Sequence, residues 1–334
     1  MNKLQVLAFL FLIFSCQKEK HNAFYYWKTS GNLKSTEISI LKDADVEKIY
    51  LKMFDVVWNQ DLKMPVNTLP IQNIDSHIMQ RKIVPVVFIR NEVFLLAKDS
   101  QRNDLPDKVL NLILSVLGKS IRIDEIQLDC DWTQKTKHAY FDFLNKIKKL
   151  SGKQISVTLR LHQLKYQNLT GIPPADRATL MFYNMGDLGQ LWEKNSILNL
   201  SKAEKYLKGA SHYPLHLDLA LPVYSWSVLI RNNKVKALFS DILLEELKDT
   251  SRFVAMKNNY YFAKSSFLLH GKYFFQADII RFEPTDKELL QSASRLLQKY
   301  LSDDERDIIL FQLDSTQIKN FGYENISAVF ADFI

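Results

Sequence analysis

The sequence predicts an α/β protein of the (β/α)8, TIM-barrel type, with a small β-hairpin insertion before the last helix–strand pair. Segments of strand character alternate with segments of helical periodicity along most of the chain, which is typical of a parallel sheet. The strand segments number eight, as a closed barrel requires. An open, doubly wound sheet is the alternative, but the chain has only nine glycines and no glycine-rich turn after its first strand.

The predicted strands follow one another at intervals that leave room for helices between several of them. They are Ala23–Thr29, Lys48–Asn59, Ile83–Phe94, Glu125–Trp132, Gln154–Leu164, Ala178–Gly186, His216–Trp226 and Arg306–Asp314. Apolar residues recur at helical spacing in Pro106–Leu117, Lys135–Leu150 and Glu288–Leu301. Asp286 is a suitable N-cap for the last helix. Short strands around the Gly271-Lys272 turn predict the insertion at about residues 251–285.

The first residues have the features of an export signal. Lys3 precedes an apolar run from Leu4 to Phe14, which is too short to span a bilayer, since spanning takes about 20 residues. This pattern predicts a signal peptide over residues 1–15. Cys16 closes the run and resembles the bacterial lipobox cysteine, which is lipidated and becomes the first mature residue. An ordinary secretory signal or a buried helix is the alternative.

The predicted organisation is therefore a signal peptide (1–15), a tether after lipidated Cys16 (16–22) and one barrel domain (23–334). We expect the mature chain to be anchored by lipid in the bacterial cell envelope. The outer membrane is the expected site, with the domain either periplasmic or surface-exposed. We also expect a monomer.

Charge and cysteine content narrow the classes of partner. The 44 Lys and Arg exceed the 37 Asp and Glu and give a net charge of +7, but they are scattered along the chain. No arginine-rich arm or zinc-finger spacing occurs, so we expect no nucleic-acid partner. An anionic membrane surface or polyanion fits the charge equally well.

The chain has two cysteines, and if Cys16 carries lipid then Cys130 has no partner, so neither a disulfide nor a cysteine metal site is expected. We predict no cofactor and no metal.

The fourth predicted strand has one polar face. Side chains alternate along a strand, so Gln127, Asp129 and Asp131 point one way and the apolar residues between them point the other. A strand buried on both faces should be apolar throughout. Because buried polar groups cost free energy unless they are paired, this face belongs either to an ion-pair network or to an active site.

Polar residues recur near the ends of the next four strands, the last of which ends at Gln312 and Asp314. The active site of a TIM barrel lies at the carboxyl ends of its strands, so these residues are expected at one mouth. Structural pairing is the alternative for each of them, since Arg160, for example, could neutralise Asp129. The candidates for substrate binding are Gln127, Arg160, His162, Tyr183, Asn184, Asp218 and Trp226.

Two motifs carry a resemblance to a known family. Asp124-x-x-Gln127-x-Asp129-x-Asp131 is similar in spacing to the fourth-strand signature Asp-x-x-Asp-x-Asp-x-Glu of chitinase-like glycoside hydrolases. The segment 181–184, Met-Phe-Tyr-Asn, resembles the sixth-strand Met-x-Tyr-Asp of that family.

The resemblance implies a role for each matching residue. Asp131 stands at the general-acid position, and Asp129 stands at the carboxylate that orients the acetamido group of the substrate. Tyr183 and Asn184 would hold that group. Here Asp replaces Glu at the acid position, and Gln127 and Asn184 replace carboxylates.

A broader similarity extends over most of the mature chain. The segments 127–131, 181–186 and 217–226 resemble a bacterial family of unknown function, which implies a barrel of glycoside-hydrolase type.

Three functional hypotheses follow. The first is a glycoside-hydrolase-like lipoprotein that acts on an extracytoplasmic glycan, with Asp131 as the acid and Asp129 as the assisting carboxylate. Two carboxylates so close along a strand can raise one another's pKa, which keeps one protonated. The second is a non-catalytic lipoprotein that binds a glycan or peptide in the same mouth. The third is a metal-dependent hydrolase using Asp129, Asp131, His162, His216 and Asp218, although no compact histidine motif is present.

Overall fold

A closed ring of eight parallel strands forms the centre of the molecule. The computed structural model describes residues 20–118, 121–301 and 306–333, so the predicted signal peptide and Cys16 lie outside the described residues. The barrel strands, numbered one to eight in chain order, are Asn22–Tyr26, Lys48–Asn59, Lys82–Ile89, Glu125–Asp129, Gln154–Arg160, Arg177–Met181, His216–Pro222 and Ile308–Phe311. The first strand pairs with both the second and the eighth, which closes the ring. The predicted (β/α)8 fold is confirmed.

Several strands end earlier than predicted. The third ends at Ile89, and the apolar residues after it form the helix Asn91–Leu96. The fifth ends at Arg160, where the helix Leu161–Lys165 begins. A continuous apolar run does not show where a strand gives way to a helix, because both bury their apolar residues.

Helices connect the strands and cover the outside of the ring. Their bounds are Ser35–Asp43, Ser76–Met79, Asn91–Leu96, Asp99–Leu117, Lys137–Ser151, Leu161–Lys165, Gln167–Thr170, Leu200–Leu207, Leu244–Leu247, Lys287–Tyr300, Ser315–Phe321 and Tyr323–Asp332, with short 3-10 turns at Ala210–His212 and Lys257–Asn259. The three predicted long helices are present. The first begins at Asp99, before the predicted Pro106. Asp286 caps the last by accepting the Leu289 N–H at 2.8 Å. In the described ranges, no helix is long and apolar enough to cross a membrane.

The insertion after the seventh strand is larger than the sequence predicts. The expected hairpin is present as Phe267–Leu269 and Lys272–Phe274. It packs against a five-stranded antiparallel sheet. The strands of this sheet are Trp226–Arg231, Lys234–Phe239, Phe253–Ala255, Tyr260–Ala263 and Ile279–Glu283. Its first strand follows the seventh barrel strand so closely that the two look like one run in the sequence.

The two faces of the insertion sheet contact different parts of the chain. Along Trp226–Arg231, Leu229 faces the hairpin side, where it packs with Phe274. Val228 and Ile230 face the other way and pack with Tyr260 against the loop that follows the sixth barrel strand. Because side chains alternate along the strand, one face of the insertion sheet packs against this loop and the other packs against the hairpin.

Buried ion pairs close the amino-terminal end of the barrel. Lys48 donates to Asp307 at 2.5 Å, and the Arg177 Nε donates to Asp218 at 2.6 Å. The Asp307 N–H also donates to Asp218, at 2.9 Å. Burial opposes the charge of Asp307, but the hydrogen bond from His21 and the charge of Lys48 outweigh it and hold the pKa of Asp307 well below its usual value.

Candidate functional site

The carboxylates of the fourth strand lie at the carboxyl-terminal mouth of the barrel. Asp129 is the last residue of the strand, and Asp131 follows it by two positions. Asp129 is only 4% exposed and accepts a hydrogen bond of 2.6 Å from the Thr158 hydroxyl of the fifth strand. Asp131 keeps 46% of its side chain exposed. The two carboxylates therefore share a strand end but have different environments.

Burial determines the proton affinity of Asp129. The loss of solvent raises the pKa of Asp129 to about 6, with a smaller contribution from the charge of Asp131, and the Thr158 hydrogen bond acts in the opposite direction. A carboxyl group with such a pKa gains and loses a proton near neutral pH, as an acid–base group should.

Asp131 is held by Arg160 of the fifth strand. The Arg160 Nε donates to one oxygen of Asp131 at 2.7 Å, and Nη2 donates to the other at 3.1 Å. Burial lowers the pKa of Arg160, but Asp131 outweighs it and the net pKa is raised. This bidentate pair fixes the orientation of both side chains. Arg160 therefore pairs with Asp131, whereas the sequence suggested Asp129 as its structural partner.

His162 stands just past this pair, at the start of the helix Leu161–Lys165, and is exposed. Partial burial lowers the pKa of His162, and the nearby Arg160 charge lowers it further, whereas Asp131 raises it. The imidazole is therefore favoured in its neutral form at the rim of the mouth.

Gln127 lies deeper, inside the barrel. It is fully buried, accepts from the Tyr25 hydroxyl at 2.5 Å and donates to the Thr179 hydroxyl at 3.0 Å. A further donated contact reaches the Ser156 hydroxyl at 3.4 Å. The Gln127 amide thus lies at the floor of the mouth, where its hydrogen-bond partners are other side chains of the protein.

Tyr183 and Asn184 lie just after the sixth strand, which ends at Met181. The Tyr183 hydroxyl is buried and has no hydrogen-bond partner among the described residues. Burial raises the pKa of Tyr183 well above its usual value, and Arg160 and Asp129 are among the charges that act on it. Asn184 adopts a left-handed backbone conformation with φ 55°, which Asn tolerates better than most residues, and accepts from the Tyr224 hydroxyl at 2.7 Å.

Aromatic rings pack against the Tyr183 ring. Phe311, at the end of the eighth strand, has its ring centroid 5.3 Å from Tyr183, 5.8 Å from Tyr224 and 5.9 Å from Trp27. The Tyr224 ring lies 5.4 Å from Trp226. We call these five residues the aromatic cluster. Trp27, Phe311 and Trp226 are partly exposed, so the cluster is accessible to solvent at these three residues.

Trp226 stands where the barrel passes into the insertion. Its indole N–H donates to Glu283 at 2.8 Å, which fixes the ring beside Tyr224. Sequence reasoning included Trp226 but missed Phe311 and Tyr224. Aromatic residues at alternate positions near strand ends, such as Tyr224 and Trp226, are a signal that could have found them.

A cavity of about 240 Å³ lies beside the mouth, past the end of the first strand. Lys52 lines it and places its Nζ 5.3 Å from the centre of the Trp27 ring, so the cavity adjoins the aromatic cluster. Lys52 pairs with Asp55 at 2.8 Å. Both residues come from the second strand, whose polar positions the sequence reasoning did not include.

The structure does not bring Asp218 to the mouth. Asp218 is fully buried in the ion-pair network at the amino-terminal end, where Arg177 holds it and His216 approaches within 3.5 Å. The expectation that Asp218 positions the substrate is therefore corrected. Alternation places Asp218 on the inner face of its strand, but it does not give the height of that residue in the barrel.

The residues of the metal hypothesis are separated by the same arrangement. His162 lies at the mouth, whereas His216 and Asp218 lie at the opposite end. In the part of the chain that the structure describes, no group of three or more His, Cys, Asp or Glu side chains could hold a metal ion.

Comparisons with known proteins identify the class of fold. The spore cortex-lytic enzyme SleL of Bacillus cereus superposes with a TM-score of 0.60 at 11% identity, over 94% of this chain and 74% of that one. A chitinase of Chromobacterium violaceum gives 0.59 at 11% identity, over 94% and 99%. A mutant of catalytic domain 2 of the group II chitinase of Ostrinia furnacalis, in complex with penta-N-acetylchitooctaose, gives 0.56 at 10% identity, over 94% and 96%.

The chain thus has the barrel fold of these glycoside hydrolases, at a sequence identity of 10–11%. No family model matches it, and no curated protein matches it. At these identities the likeness establishes the barrel fold, so the function has to be argued from the side chains at the mouth.

Proposed function

We propose that this chain is a lipid-anchored, glycoside-hydrolase-like protein of the bacterial cell envelope whose barrel mouth binds an extracytoplasmic glycan. The buried, unpartnered hydroxyl of Tyr183 carries the proposal. Leaving such a group unpaired costs about 1–3 kcal/mol, which a hydrogen bond to a ligand or to water would offset. The partly exposed ring of Phe311 packs against the Tyr183 ring, and the ring of Trp27 packs in turn against Phe311. A hydrogen-bonding group next to apolar ring faces suits a sugar, which presents hydroxyl groups at its edge and C–H groups on its faces.

The similar structures support a glycan as the ligand. They include chitinases, a cortex-lytic enzyme and a complex with an N-acetylated oligosaccharide. In this chain Tyr183 and Asn184 would bind an acetamido group, with Asp129 beside them. The predicted export signal and the predicted lipidation of Cys16 support a ligand outside the cytoplasm.

Binding without turnover is the function that the geometry supports best. Hydrolysis needs a protonated acid at the leaving oxygen and a second group at the anomeric carbon. Asp131 stands at the acid position by resemblance, but Arg160 donates a hydrogen bond to each of its oxygens. For Asp131 to act as the acid, the ligand would have to open this pair.

Hydrolysis is the second candidate, and the properties of Asp129 favour it. Its pKa of about 6 would let it carry a proton at neutral pH. In that case Asp129 would protonate the leaving oxygen as the glycosidic C–O bond breaks, and water would then add to the anomeric carbon and return a proton to the Asp129 carboxylate. Asp131 with Arg160 would orient the sugar.

Two tyrosine variants test the binding proposal. Tyr183→Phe removes only the hydroxyl, so affinity for N-acetylglucosamine oligomers, measured by calorimetry, should fall about three- to tenfold. Tyr213→Phe is the matched control, because the Tyr213 hydroxyl is also buried without a partner among the described residues but lies just before the seventh strand, at the other end. Equal losses for both variants, or none for Tyr183→Phe, would contradict the proposal.

Parallel product analysis separates binding from hydrolysis. Binding without released sugars supports the receptor function. If products form, Asp129→Asn and Asp131→Asn identify the acid, because the variant of the proton donor should lose turnover while it keeps its fold. Loss of turnover in Asp131→Asn alone would restore the role that the sequence assigned to Asp131.

A further inference from the structure

One exposed tryptophan stands on the loop that follows the sixth strand. Trp192 is 73% exposed, although most large aromatic side chains of the described residues are buried or partly buried. One face of its ring is supported by Tyr260 of the insertion sheet, with centroids 5.6 Å apart and planes at 42°. The remaining surface of the ring is open to solvent.

The loop that carries Trp192 is fixed by a buried arginine. Arg281 of the insertion sheet is fully buried and donates to the backbone carbonyls of Gln190 at 2.5 Å and Leu191 at 3.1 Å. Its Nε donates to Glu283 at 2.6 Å. The Tyr260 hydroxyl donates to the Leu191 carbonyl at 2.8 Å. The backbone on the amino side of Trp192 is therefore held by three hydrogen bonds.

A second set of contacts holds the loop on the other side of Trp192. Glu283 accepts from the Ser196 N–H at 2.7 Å, and the Asn195 amide donates to the Pro284 carbonyl at 2.7 Å. Glu283 also accepts from the Trp226 indole, which belongs to the aromatic cluster. The Glu283 carboxylate thus contacts both the aromatic cluster and the loop, and we call residues 190–196 together with 281–284 the wall.

We propose that Trp192 is a second sugar-stacking position on this wall, which binds a further unit of a glycan chain whose first units occupy the mouth. An exposed ring on a fixed backbone pays little conformational entropy when a sugar stacks on it. The inference rests on the proposed glycan-binding function and makes the ligand a chain of several sugar units.

The Trp192→Ala variant tests the proposal against ligands of two lengths. Because Trp192 is exposed, the substitution should leave the fold intact. Affinity for the hexamer of N-acetylglucosamine, measured by calorimetry on the soluble domain, should fall by roughly tenfold. Affinity for the dimer should not change, since the dimer fills the mouth alone.

Two further variants act as controls. Trp192→Phe keeps a ring and should retain most of the affinity for the hexamer. Tyr273→Ala removes an exposed aromatic ring from the hairpin, which covers the opposite face of the insertion sheet, and should change nothing.

The outcomes distinguish the stacking position at Trp192 from the proposed binding of a glycan in the mouth. Tight hexamer binding that Trp192→Ala leaves unchanged overturns the stacking position and keeps the glycan function. Equal affinity of the wild type for dimer and hexamer overturns it as well. If the wild type binds neither sugar, both proposals fail together.

Discussion

Replacing Asp129 by Asn should stabilise the protein at neutral pH, although it removes a charged group from a hydrogen bond. The folded-state pKa of Asp129 is about 6, against a reference value of 3.8. Because the folded-state pKa is the higher of the two, protonation is favoured by folding. The contribution to stability is complete below about pH 3.8 and is lost as the pH rises through about 6.

The size of the effect follows from this difference. The pKa difference of 6 − 3.8 = 2.2 lowers the free energy of unfolding by ~3 kcal/mol at pH values well above 6, relative to a protein whose Asp129 stays protonated, since one pKa unit is ~1.4 kcal/mol. At ~pH 4.5 the free energy of unfolding is lowered by only ~1 kcal/mol. Asn keeps an oxygen to accept the Thr158 hydroxyl and carries no charge at either pH.

Urea unfolding of wild type and Asp129→Asn at ~pH 4.5 and ~pH 7.5 measures the prediction. The advantage of the Asn variant should grow by ~2 kcal/mol between the two. Asp218→Asn is the matched control, because it makes the same change in a buried carboxylate that Arg177 holds, and it should destabilise by about 3–5 kcal/mol at neutral pH. If Asp129→Asn is less stable than the wild type, or if the stability difference between them does not change with pH, burial does not raise the pKa of Asp129.

Other substitutions test the packing around the site. Gly186→Ala should destabilise by about 1–3 kcal/mol in urea unfolding, because the added Cβ would stand 2.6 Å from the Ser196 Cα; unchanged stability would show that the loop can shift freely. Arg281→Met should cost about 3–5 kcal/mol, since it leaves Glu283 buried without its cation, and it should speed limited proteolysis within residues 187–199; a cleavage rate like that of wild type would mean that other contacts fix the loop. Burial raises the pKa of the Cys130 thiol well above its usual value, so a thiol reagent should modify it only after unfolding, and rapid labelling of the native protein would show that the fourth strand opens.

Much of the fold could be predicted because the signal is repeated along the chain. Each barrel strand is a separate apolar run, and the long helices show their own periodicity. The insertion was underestimated for a local reason. Its strands are short, and Trp226–Arg231 begins four residues after the seventh barrel strand ends at Pro222, so one pattern covers both.

The site could be located from the sequence more readily than its chemistry. Alternation put Asp129 and Asp131 on one face, and the structure shows them at the mouth. It also put Asp218 on an inner face, yet Asp218 lies at the other end, because alternation gives the face and not the height. The partners Arg160 and Thr158 come from the neighbouring strand, so the difference between the two carboxylates depends on strand pairing that a single sequence does not show.

The most direct test of glycan binding at Tyr183 is a crystal structure of the soluble domain soaked with N-acetylglucosamine oligomers. We expect a sugar ring against Phe311 and Trp27, with an acetamido group in hydrogen-bonding distance of the Tyr183 hydroxyl. An empty mouth at saturating ligand, or a sugar bound away from Tyr183, would contradict it.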